Sequence, residues 1–457
     1  MACDEAAMTY PDALVYLGAT RRFGMKLGLE PMRAAAAALG HPERSLRFIH
    51  LAGTNGKGST AAFCESCLRA AGFRVGLYTS PHLVSVRERV QVDRVPISEA
   101  GFAEGMTAVR DAMSRVENPP STFFELMTAL ALRHFAREKV DWVVWETGLG
   151  GRLDATNIVT PEVCIITNIG LEHQQYLGPT LPEIAAEKAG IIKPGVPVVS
   201  AVDGGEAQEV IQQRARAESC RLTLVHRDMK LENLGMRDGK QIAHIDDQEF
   251  TLGLIGPHQI ENAACAVEAM RQLRSRAPQP RDELYHVSDD AIARGLVATT
   301  WAGRFEIVSE SPLIVLDGAH NPAGMRKLIE TWTSFLASRG TDPEKGAHLV
   351  FASVSDKDVT EIAELLRPIA RQFSLVRLAS DRTADPAVLA AHFAGVPCRL
   401  FDSVGQIWNE LKTAPADVPV LITGSLFLVG EIEAQQGRDS AGEYRLNERL
   451  ETLAHIR

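Results

Sequence analysis

Short apolar runs alternate with amphipathic segments over most of the chain, and this pattern predicts strands and helices that follow one another in turn. Before residue 300 the clearest strand-like runs are 46–52, 74–78, 142–146, 163–168 and 196–201. A second series comprises 313–316, 347–352, 372–378, 399–401 and 418–423. Such alternation is typical of a parallel sheet covered by helices on both faces. We therefore predict an α/β fold.

Residues 221–258 depart from this alternation. Three β-like runs occur there, separated by turn residues such as Asp238 and Gly239: 221–226, 241–245 and 250–254. This spacing predicts a small antiparallel insert. Helical spacing returns over 288–298, and Trp301-Ala-Gly303 follows as a predicted hinge.

The length of 457 residues exceeds what a single hydrophobic core usually holds, so more than one domain is expected. We place the boundary at the predicted hinge. Residues 1–299 then form a larger first domain with a parallel sheet, and residues 300–457 form a smaller second α/β domain.

A glycine-rich segment, Gly53-Thr-Asn-Gly-Lys-Gly-Ser-Thr60, follows the first apolar run and precedes a helical stretch. Its glycines would let backbone amides and a helix N-terminus converge on phosphate oxygens. Lys57 would add a positive charge near the β- and γ-phosphates, and the hydroxyl of Ser59 or Thr60 would reach a magnesium ion. The usual Walker pattern is not met, because position 51 is leucine and Gly58 separates the lysine from Ser59. The segment predicts a nucleoside triphosphate site, with a structural glycine turn as the alternative.

Composition narrows the class of partner. The formal net charge of −10 argues against a surface built for nucleic acid, so a small substrate is favoured. No signal-peptide pattern and no apolar run long enough to span a bilayer is found, which predicts a cytoplasmic protein without membrane contact. The seven cysteines lack paired metal-ligand spacing.

Three polar side chains come just after predicted strands, at the edge where ligands of open parallel sheets bind. Ser80 follows the run 74–78, and a metal-binding hydroxyl or a turn residue before proline fits it equally well. Glu146 ends the run 142–146, where a carboxylate can hold magnesium beside a nucleotide. His173 follows the run 163–168, and a lone histidine is more often structural than a ligand.

Together these segments resemble the folylpolyglutamate synthase and dihydrofolate synthase family of the Mur-ligase superfamily, and the resemblance covers nearly the whole chain. Eight stretches carry it in a shared order: Gly53-Thr-Asn-Gly-Lys-Gly-Ser59, Leu77-Tyr-Thr-Ser-Pro-His-Leu83, Glu146-Thr-Gly-Leu-Gly-Gly-Arg-Leu-Asp-Ala-Thr-Asn157, Gly170-Leu-Glu-His173, Glu187-Lys-Ala-Gly-Ile-Ile-Lys-Pro-Gly195, Gly303-Arg-Phe305, Leu316-Asp-Gly-Ala-His-Asn-Pro322 and Thr423-Gly-Ser425. The resemblance implies a P-loop ATPase-like N-terminal domain, a Rossmann-like C-terminal domain and an active site between them.

The family joins a carboxylate to the amine of glutamate with ATP, through an acyl phosphate. The resemblance implies ATP contacts at Thr54, Asn55, Gly56, Lys57, Gly58, Ser59, Asn262, Arg304 and Asp317. It implies Mg²⁺ ligands at Ser80, Glu146, His173 and Lys188, with Lys188 carbamylated to N6-carboxylysine. A salt bridge to a nearby acid is the alternative for Lys188. Catalytic roles fall on Lys57, Lys188 and His320, the last of which would position glutamate or the leaving phosphate.

For the pterin or folate substrate, the resemblance implies contacts at Thr122, Phe123, Phe124, Glu125, Leu153, Asp154 and Ala155. One of the two phenylalanines would stack on the heterocycle while the other faces the core. Asp154 would hydrogen-bond an amino-pyrimidine edge. The segment 25–29 resembles the family's early substrate-side loop. We expect a monomer that uses ATP, L-glutamate and dihydropteroate or a reduced folate, and we favour a bifunctional enzyme.

Three other functions compete with this interpretation. Another Mur-type amide ligase would share the ATP chemistry but take a different acceptor. A nucleotide-operated switch would keep the glycine loop but would need neither Lys188 nor ATP contacts from a second domain. A Rossmann dehydrogenase is suggested only by Gly148-Leu-Gly150, which lacks the full dinucleotide fingerprint.

Overall fold

The computed structural model describes residues 6–19, 28–120, 122–276, 283–355, 357–380 and 383–438. Residues 25–27 of the predicted substrate-side loop lie outside these ranges. The helices within them are α1 (Tyr10–Ala19), α2 (Glu30–Ala38), α3 (Lys57–Ala70), α4 (Glu99–Met113), α5 (Phe123–Glu138), α6 (Gln174–Leu177), α7 (Leu181–Ala189), α8 (Gly205–Ala217), α9 (Val225–Asp228), α10 (His258–Arg276), α11 (Asp289–Ala298), α12 (Pro322–Ser338), α13 (Thr360–Leu366), α14 (Pro386–His392), α15 (Val404–Leu411) and α16 (Leu426–Glu433).

The strands form three sheets, and their arrangement confirms the predicted α/β fold. They are β1 (Phe48–Ala52), β2 (Val75–Tyr78), β3 (Val90–Val92), β4 (Val95–Pro96), β5 (Trp142–Glu146), β6 (Val163–Ile166), β7 (Val198–Ser200), β8 (Leu222–Leu224), β9 (Leu231–Arg237), β10 (Lys240–Ile245), β11 (Gln248–Leu252), β12 (Glu306–Glu310), β13 (Leu313–Leu316), β14 (Ala347–Phe351), β15 (Ala370–Val376), β16 (Cys398–Phe401) and β17 (Val420–Thr423).

The largest sheet has eight strands in the order β4-β3-β2-β5-β1-β6-β7-β8. The strands from β2 to β8 in this order pair in parallel, while β3 and β4 are antiparallel at one edge. Every residue of the central strands β1 and β5 is buried, because helices cover both faces. Apolar side chains of α3, α10 and α11 build the core on one face, and those of α1, α4 and α5 build the core on the other.

The predicted antiparallel insert exists, but its first strand was assigned wrongly. Residues 222–224 pair in parallel with β7 and therefore belong to the large sheet. The insert consists of β9, β10 and β11, in the order β11-β10-β9. Strand β9 is mostly exposed, and its apolar residues do not alternate regularly with polar ones, so its sequence lacks the signal that identifies a half-buried strand.

The second domain contains six strands in the order β12-β13-β17-β14-β15-β16. Strand β12 is antiparallel to β13, and the other neighbours are parallel. The five predicted strands of this domain all occur, with ends that differ by no more than two residues. Residues 299–305 connect α11 of the first domain to β12. None of the helices in the described ranges is long and apolar enough to cross a membrane.

A neutral histidine lies in the middle of β1. His50 is fully buried, and its Nε2–H donates to the Thr156 hydroxyl at 2.9 Å, since that hydroxyl itself donates to Asp154. The Nδ1 atom of His50 is buried without a hydrogen-bond partner. Burial, and then the charge of Lys193, lower the pKa of His50 to about 3. Protonation of His50 would therefore place an unpaired charge in the core.

We predict that His50→Gln makes the protein less sensitive to acid. The pKa of His50 is about 3 in the folded chain and about 6.5 in an unfolded one, so the unfolded state binds the extra proton between these values. The histidine contributes its full stability above about pH 6.5, and about 2 kcal/mol is lost by about pH 5. Glutamine keeps a donor near the Nε2 position and does not titrate.

The measurement is thermal unfolding of both proteins at neutral and at acidic pH. His50→Gln should lose less Tm on acidification than the wild type, whereas His286→Gln, at an exposed position, should behave as the wild type does. An equal loss of Tm for His50→Gln and the wild type would contradict the prediction.

Candidate active site

A cleft of about 2090 Å³ lies where the carboxyl ends of the central strands of the first sheet face the second domain. In open parallel sheets this edge collects the loops that bind ligands. The cleft is lined by residues that follow β1, β2, β5 and β6, including Asn55, Ser80, Gly148 and Asn168. Residues 317–321 of the second domain line the opposite wall.

The glycine segment forms a turn between β1 and the N-terminus of α3, as the sequence predicted. Gly56 has a φ of +83°, and a Cβ at this position would lie 2.5 Å from Oδ1 of Asn262. A Cβ on Gly53 would lie 1.9 Å from the Thr167 hydroxyl. Both positions therefore require glycine. The turn leaves the N-terminus of α3 open to the cleft, where its amides and dipole favour a phosphate group.

The structure separates the two hydroxyl groups that the sequence left as alternatives. Thr60 is fully buried and donates to Asn262 Oδ1 at 3.2 Å. Ser59 lines the cleft. Ser59 is therefore the hydroxyl of α3 that is available to a bound ion, and Thr60 instead anchors α3 to α10.

Two lysines meet at the same backbone carbonyl. Lys57 donates to Gly53 O at 3.0 Å and to Thr54 O at 3.1 Å. Lys188, from α7, donates to Gly53 O at 2.7 Å and is 4% exposed. Burial, and then the charge of Lys57, lower the pKa of Lys188 to about 7. The Lys188 amine is therefore largely neutral just above neutral pH.

Glu146 and Ser80 lie side by side at the floor of the cleft. The Ser80 amide donates to Glu146 Oε2 at 3.1 Å. Glu146 is 2% exposed, and burial raises its pKa to about 7 against the opposing charge of Lys57. A buried carboxylate with so little solvation is a favourable place for a divalent cation.

The histidine predicted as a further ligand lies in the same cleft. Burial lowers the pKa of His173 against the opposing charge of Glu172, which favours the neutral imidazole that can coordinate a metal. In the described ranges, no cluster of three or more His, Cys, Asp and Glu side chains is arranged as a metal site. Because hydroxyl groups and phosphates supply much of a magnesium shell, the residues present fit Mg²⁺ bound together with a nucleotide. The predicted set Ser80, Glu146, His173 and Lys188 stays a prediction.

Glu172 and His320 face each other across the two domains, with 3.8 Å between Oε1 and Nε2. The Nδ1–H of His320 donates to Gly318 O at 2.8 Å. Burial alone would raise the pKa of Glu172, but His320, His173 and Lys57 lower it by more, to about 2. Glu172 is therefore a stable anion between the second domain and the glycine segment 53–60, called the phosphate loop from here on.

The second domain brings the predicted nucleotide contacts to the cleft. Arg304 and Asp317 both line it, and so does Asn262 from α10. Asp317 organises its own loop by accepting from the amides of Phe305 at 2.9 Å and Ala319 at 2.8 Å. Each of its oxygens keeps a further acceptor position. Burial raises the pKa of Asp317 against the opposing charge of Arg304.

The two phenylalanines of the predicted aromatic pair differ in burial, although both line the cleft. Phe123 is 8% exposed, belongs to the core and lies under the guanidinium of Arg89, 5.0 Å from the ring centroid. Phe124 is half-buried and approaches Gly148 so closely that a Cβ there would lie 2.6 Å from its ring. Phe124 is therefore the better candidate for stacking on a flat substrate.

The remaining predicted substrate residues have clear structural roles. Thr122 and Glu125 form a reciprocal cap at the start of α5, with Glu125 Oε2 accepting from the Thr122 amide at 3.0 Å. Ala155 is buried against the core, and both Leu153 and Ala155 line the cleft. Asp154 accepts from the amides of Gly148, Leu149 and Thr156 and from the Thr156 hydroxyl, which uses all four of its acceptor positions. Asp154 therefore holds its own loop, residues 148–156, in shape; its predicted bond to a pterin stays a prediction.

Sequence reasoning missed several charged residues of the cleft, among them Arg89, Glu172 and Lys357. Glu172 lies within the Gly170-Leu-Glu-His173 motif, so its position was signalled although its pairing with His320 was not. Arg89 is 5% exposed and donates to His82 at 2.8 Å. Lys357 donates to His320 O at 3.2 Å. Neither Arg89 nor Lys357 belongs to a pattern that signals ligand binding in sequence.

The chain matches two family models. The Mur ligase middle domain matches residues 51–270, and the Mur ligase, glutamate ligase domain matches residues 303–426. The gap between the two matches contains α11 and residues 299–302 of the linker that leads to β12.

Two bacterial relatives match almost end to end. A dihydrofolate synthase/folylpolyglutamate synthase of Bacillus subtilis is 36% identical, over 93% of this chain and 98% of the relative. The protein of the same name from Escherichia coli is 33% identical, over 96% of this chain and 98% of the relative.

Solved structures show the same architecture. Escherichia coli FolC in complex with DHPP and ADP superposes with a TM-score of 0.81 at 32% identity, covering 95% of this chain and 100% of that one. The folylpolyglutamate synthase of Thermotoga maritima has a TM-score of 0.81 at 29% identity and covers 95% of this chain and 98% of that one. Both domains match Mur ligase models, and the two bacterial relatives match almost the whole chain. The chain therefore belongs to the folylpolyglutamate synthase/dihydrofolate synthase family of the Mur ligases and is an ATP-dependent ligase.

Proposed function

We propose that this protein adds L-glutamate both to dihydropteroate and to the glutamate chain of reduced folates, through an acyl phosphate. One observation carries the proposal: the two lysine amines and the N-terminus of α3 converge at a cleft that also holds a buried carboxylate and an aromatic wall. The lysines and the helix N-terminus suit a triphosphate, the carboxylate suits the divalent cation that accompanies it, and the aromatic wall suits a flat heterocycle. We assign residues 1–299 to nucleotide and pterin binding and residues 300–457 to glutamate ligation.

The chemistry begins with a carboxylate that is inert towards amines. An oxygen of the substrate carboxylate attacks the γ-phosphorus of ATP, ADP leaves, and an acyl phosphate forms. Lys57 and the amides of residues 54–59 stabilise the charge that spreads over the phosphoryl oxygens. When bound, Mg²⁺ at Ser80 and Glu146, with His173, would neutralise phosphate charge and hold the triphosphate in line.

The second domain completes the nucleotide site. Arg304 donates to phosphate oxygens, Asp317 accepts from the ribose hydroxyls, and Asn262 holds the nucleotide from α10. Closure of the two domains brings these groups to the triphosphate and excludes water, which would otherwise hydrolyse the acyl phosphate.

The amine of glutamate then attacks the acyl carbon, phosphate leaves, and the amine releases one proton as the amide forms. His320 and Lys357 lie together on the wall of the second domain. We assign His320 to positioning of the leaving phosphate and Lys357 to a carboxylate of the incoming glutamate, because its ammonium group is a point charge in the cleft. Phe124 stacks on the pterin, beside the loop that Asp154 holds.

Comparing acceptors tests the proposed function. With ATP, Mg²⁺ and glutamate present, both dihydropteroate and a reduced folate should give ADP and a product heavier by one glutamyl residue. Release of ADP is followed with a coupled assay, and products are identified by mass. Activity on one acceptor alone would reject bifunctionality, and the absence of glutamate-dependent turnover would reject the ligase function.

Oxygen labelling tests the acyl phosphate. When both carboxyl oxygens of dihydropteroate carry ¹⁸O, one labelled oxygen should appear in the phosphate released with each amide formed. The phosphate is analysed by mass spectrometry, and unlabelled phosphate during active ligation would exclude this route.

Lys57→Ala should lower kcat/KM by about a hundredfold or more, as loss of a preorganised charge-stabilising group does.

We further propose that Lys188 is carbamylated. The neutral amine adds to carbon dioxide and loses one proton, which yields a carboxylate-like anion beside the phosphate loop. Its pKa of about 7, below the ordinary 10.5, means that the reactive neutral form dominates above pH 7 and is lost as the pH falls below 7. Protein equilibrated with ¹³C-bicarbonate should show a carbamate resonance at alkaline pH that disappears on mild acidification.

The controls distinguish modification from a structural cation. Lys188→Gln should abolish the resonance and most of the activity. A Lys188→Arg protein with wild-type activity, or a wild-type protein that turns over without the resonance, would favour the salt-bridge alternative.

A further inference from the structure

The linker between the domains contacts the phosphate loop directly. A Cβ built on Gly58 would lie 3.0 Å from Nε1 of Trp301 and 3.2 Å from its Cε2 and Cζ2. Ordinary contacts between such atoms are about 3.5–4.0 Å. Gly58 lies in the first turn of α3, where the backbone would accept alanine. The indole is therefore the structural reason for glycine at the position that breaks the usual Walker pattern.

The other face of the linker is held by a hairpin of the first domain. Asp93 and Arg94 connect β3 to β4 with φ values of 51° and 69°, a conformation for which hairpin turns normally use asparagine or glycine. The Arg94 guanidinium lies 4.9 Å from the ring centroid of Trp301, and its Nη2 donates to Thr300 O at 2.8 Å. Cation–π attraction and a charged donor therefore fix two successive linker residues.

We propose that Trp301 is a positioning residue for the nucleotide. Its side chain is held between Arg94 and the first turn of α3, and these contacts fix the position of the linker from which Arg304 reaches the phosphates. Arg304 follows Trp301 by three residues, and its Nη1 donates to Gly303 O at 3.0 Å. Trp301 acts through Arg304 and the phosphate loop and touches no reacting atom. The inference rests on the proposed function in that Arg304 is taken to contact ATP.

This role predicts coupling between Gly58 and Trp301. Gly58→Ala pushes the indole away from α3 and should weaken ADP binding and raise KM for ATP by about tenfold, within the range for residues in contact. Trp301→Leu removes the indole atoms that approach Gly58, and it should cost about threefold. The double variant should resemble Trp301→Leu, because the added methyl then has space.

Gly405→Ala is the matched control. Gly405 is also the second residue of a helix, α15, and a Cβ there would meet only a glutamine side-chain oxygen at 3.7 Å. This variant should bind ADP as the wild type does. KM for glutamate at saturating ATP should stay unchanged in all four variants, since a general loss of structure would raise it too.

Calorimetry with ADP keeps this test separate from that of the proposed function. A wild type that binds ADP but ligates nothing would refute the function and leave the coupling measurable. A double variant whose loss equals the product of the two single losses would overturn the positioning role. If Gly58→Ala fails to fold, Arg94→Met decides: it should weaken ADP binding about threefold, and unchanged ADP affinity would overturn the proposal.

Discussion

The site depends on one arrangement: two lysine amines donate to the same backbone carbonyl oxygen. Lys57 and Lys188 come from different helices, yet both amines lie within 3.0 Å of Gly53 O. Lys188 is buried and Lys57 is half-buried, so two positive charges this close are unfavourable. Burial, and then the charge of Lys57, lower the pKa of Lys188. An anionic phosphate would reduce the repulsion between the two amines, and so does loss of the Lys188 proton. The loop therefore favours binding of an anion.

The sheet explains why these groups meet. Parallel strands end at a common edge, so Gly53, Ser80, Thr147 and Asn168 follow four neighbouring strands and lie together although they are far apart in sequence. The second domain adds Asp317 and His320 from the loop after one of its own parallel strands. The proposed catalytic groups therefore lie on short connections whose ends are fixed by buried strands, which keeps them in place before substrate binds.

The sequence predicted strands correctly where both faces of the strand are buried. Strands β1 and β5 are covered on both faces, so every residue is apolar or buried and the run stands out. Sequence reasoning failed at sheet edges, where β9 is mostly exposed and β3 and β4 are very short. It also assigned 222–224 to the wrong sheet, because an apolar run identifies a strand but does not identify its neighbour.

Motifs located the site, but they did not reveal which side chains were already occupied. Asp154 has the chemistry of a pterin ligand, yet its acceptor positions are filled within its own loop. Glu172 finds its partner His320 only when the domains meet. Such facts depend on tertiary distance, and a single sequence carries no record of it.

At the glycine loop, the sequence motif and the tertiary contacts concern the same turn of α3. Lysine followed directly by serine or threonine is the usual arrangement, and here Gly58 intervenes. The insertion moves Ser59 to the cleft and sends Thr60 to Asn262, so the helix start is tied to α10. The same glycine leaves room for Trp301. A local departure from a phosphate-binding pattern is thus explained by two tertiary contacts: one ties the loop to α10, and the other ties it to the linker that leads into the second domain.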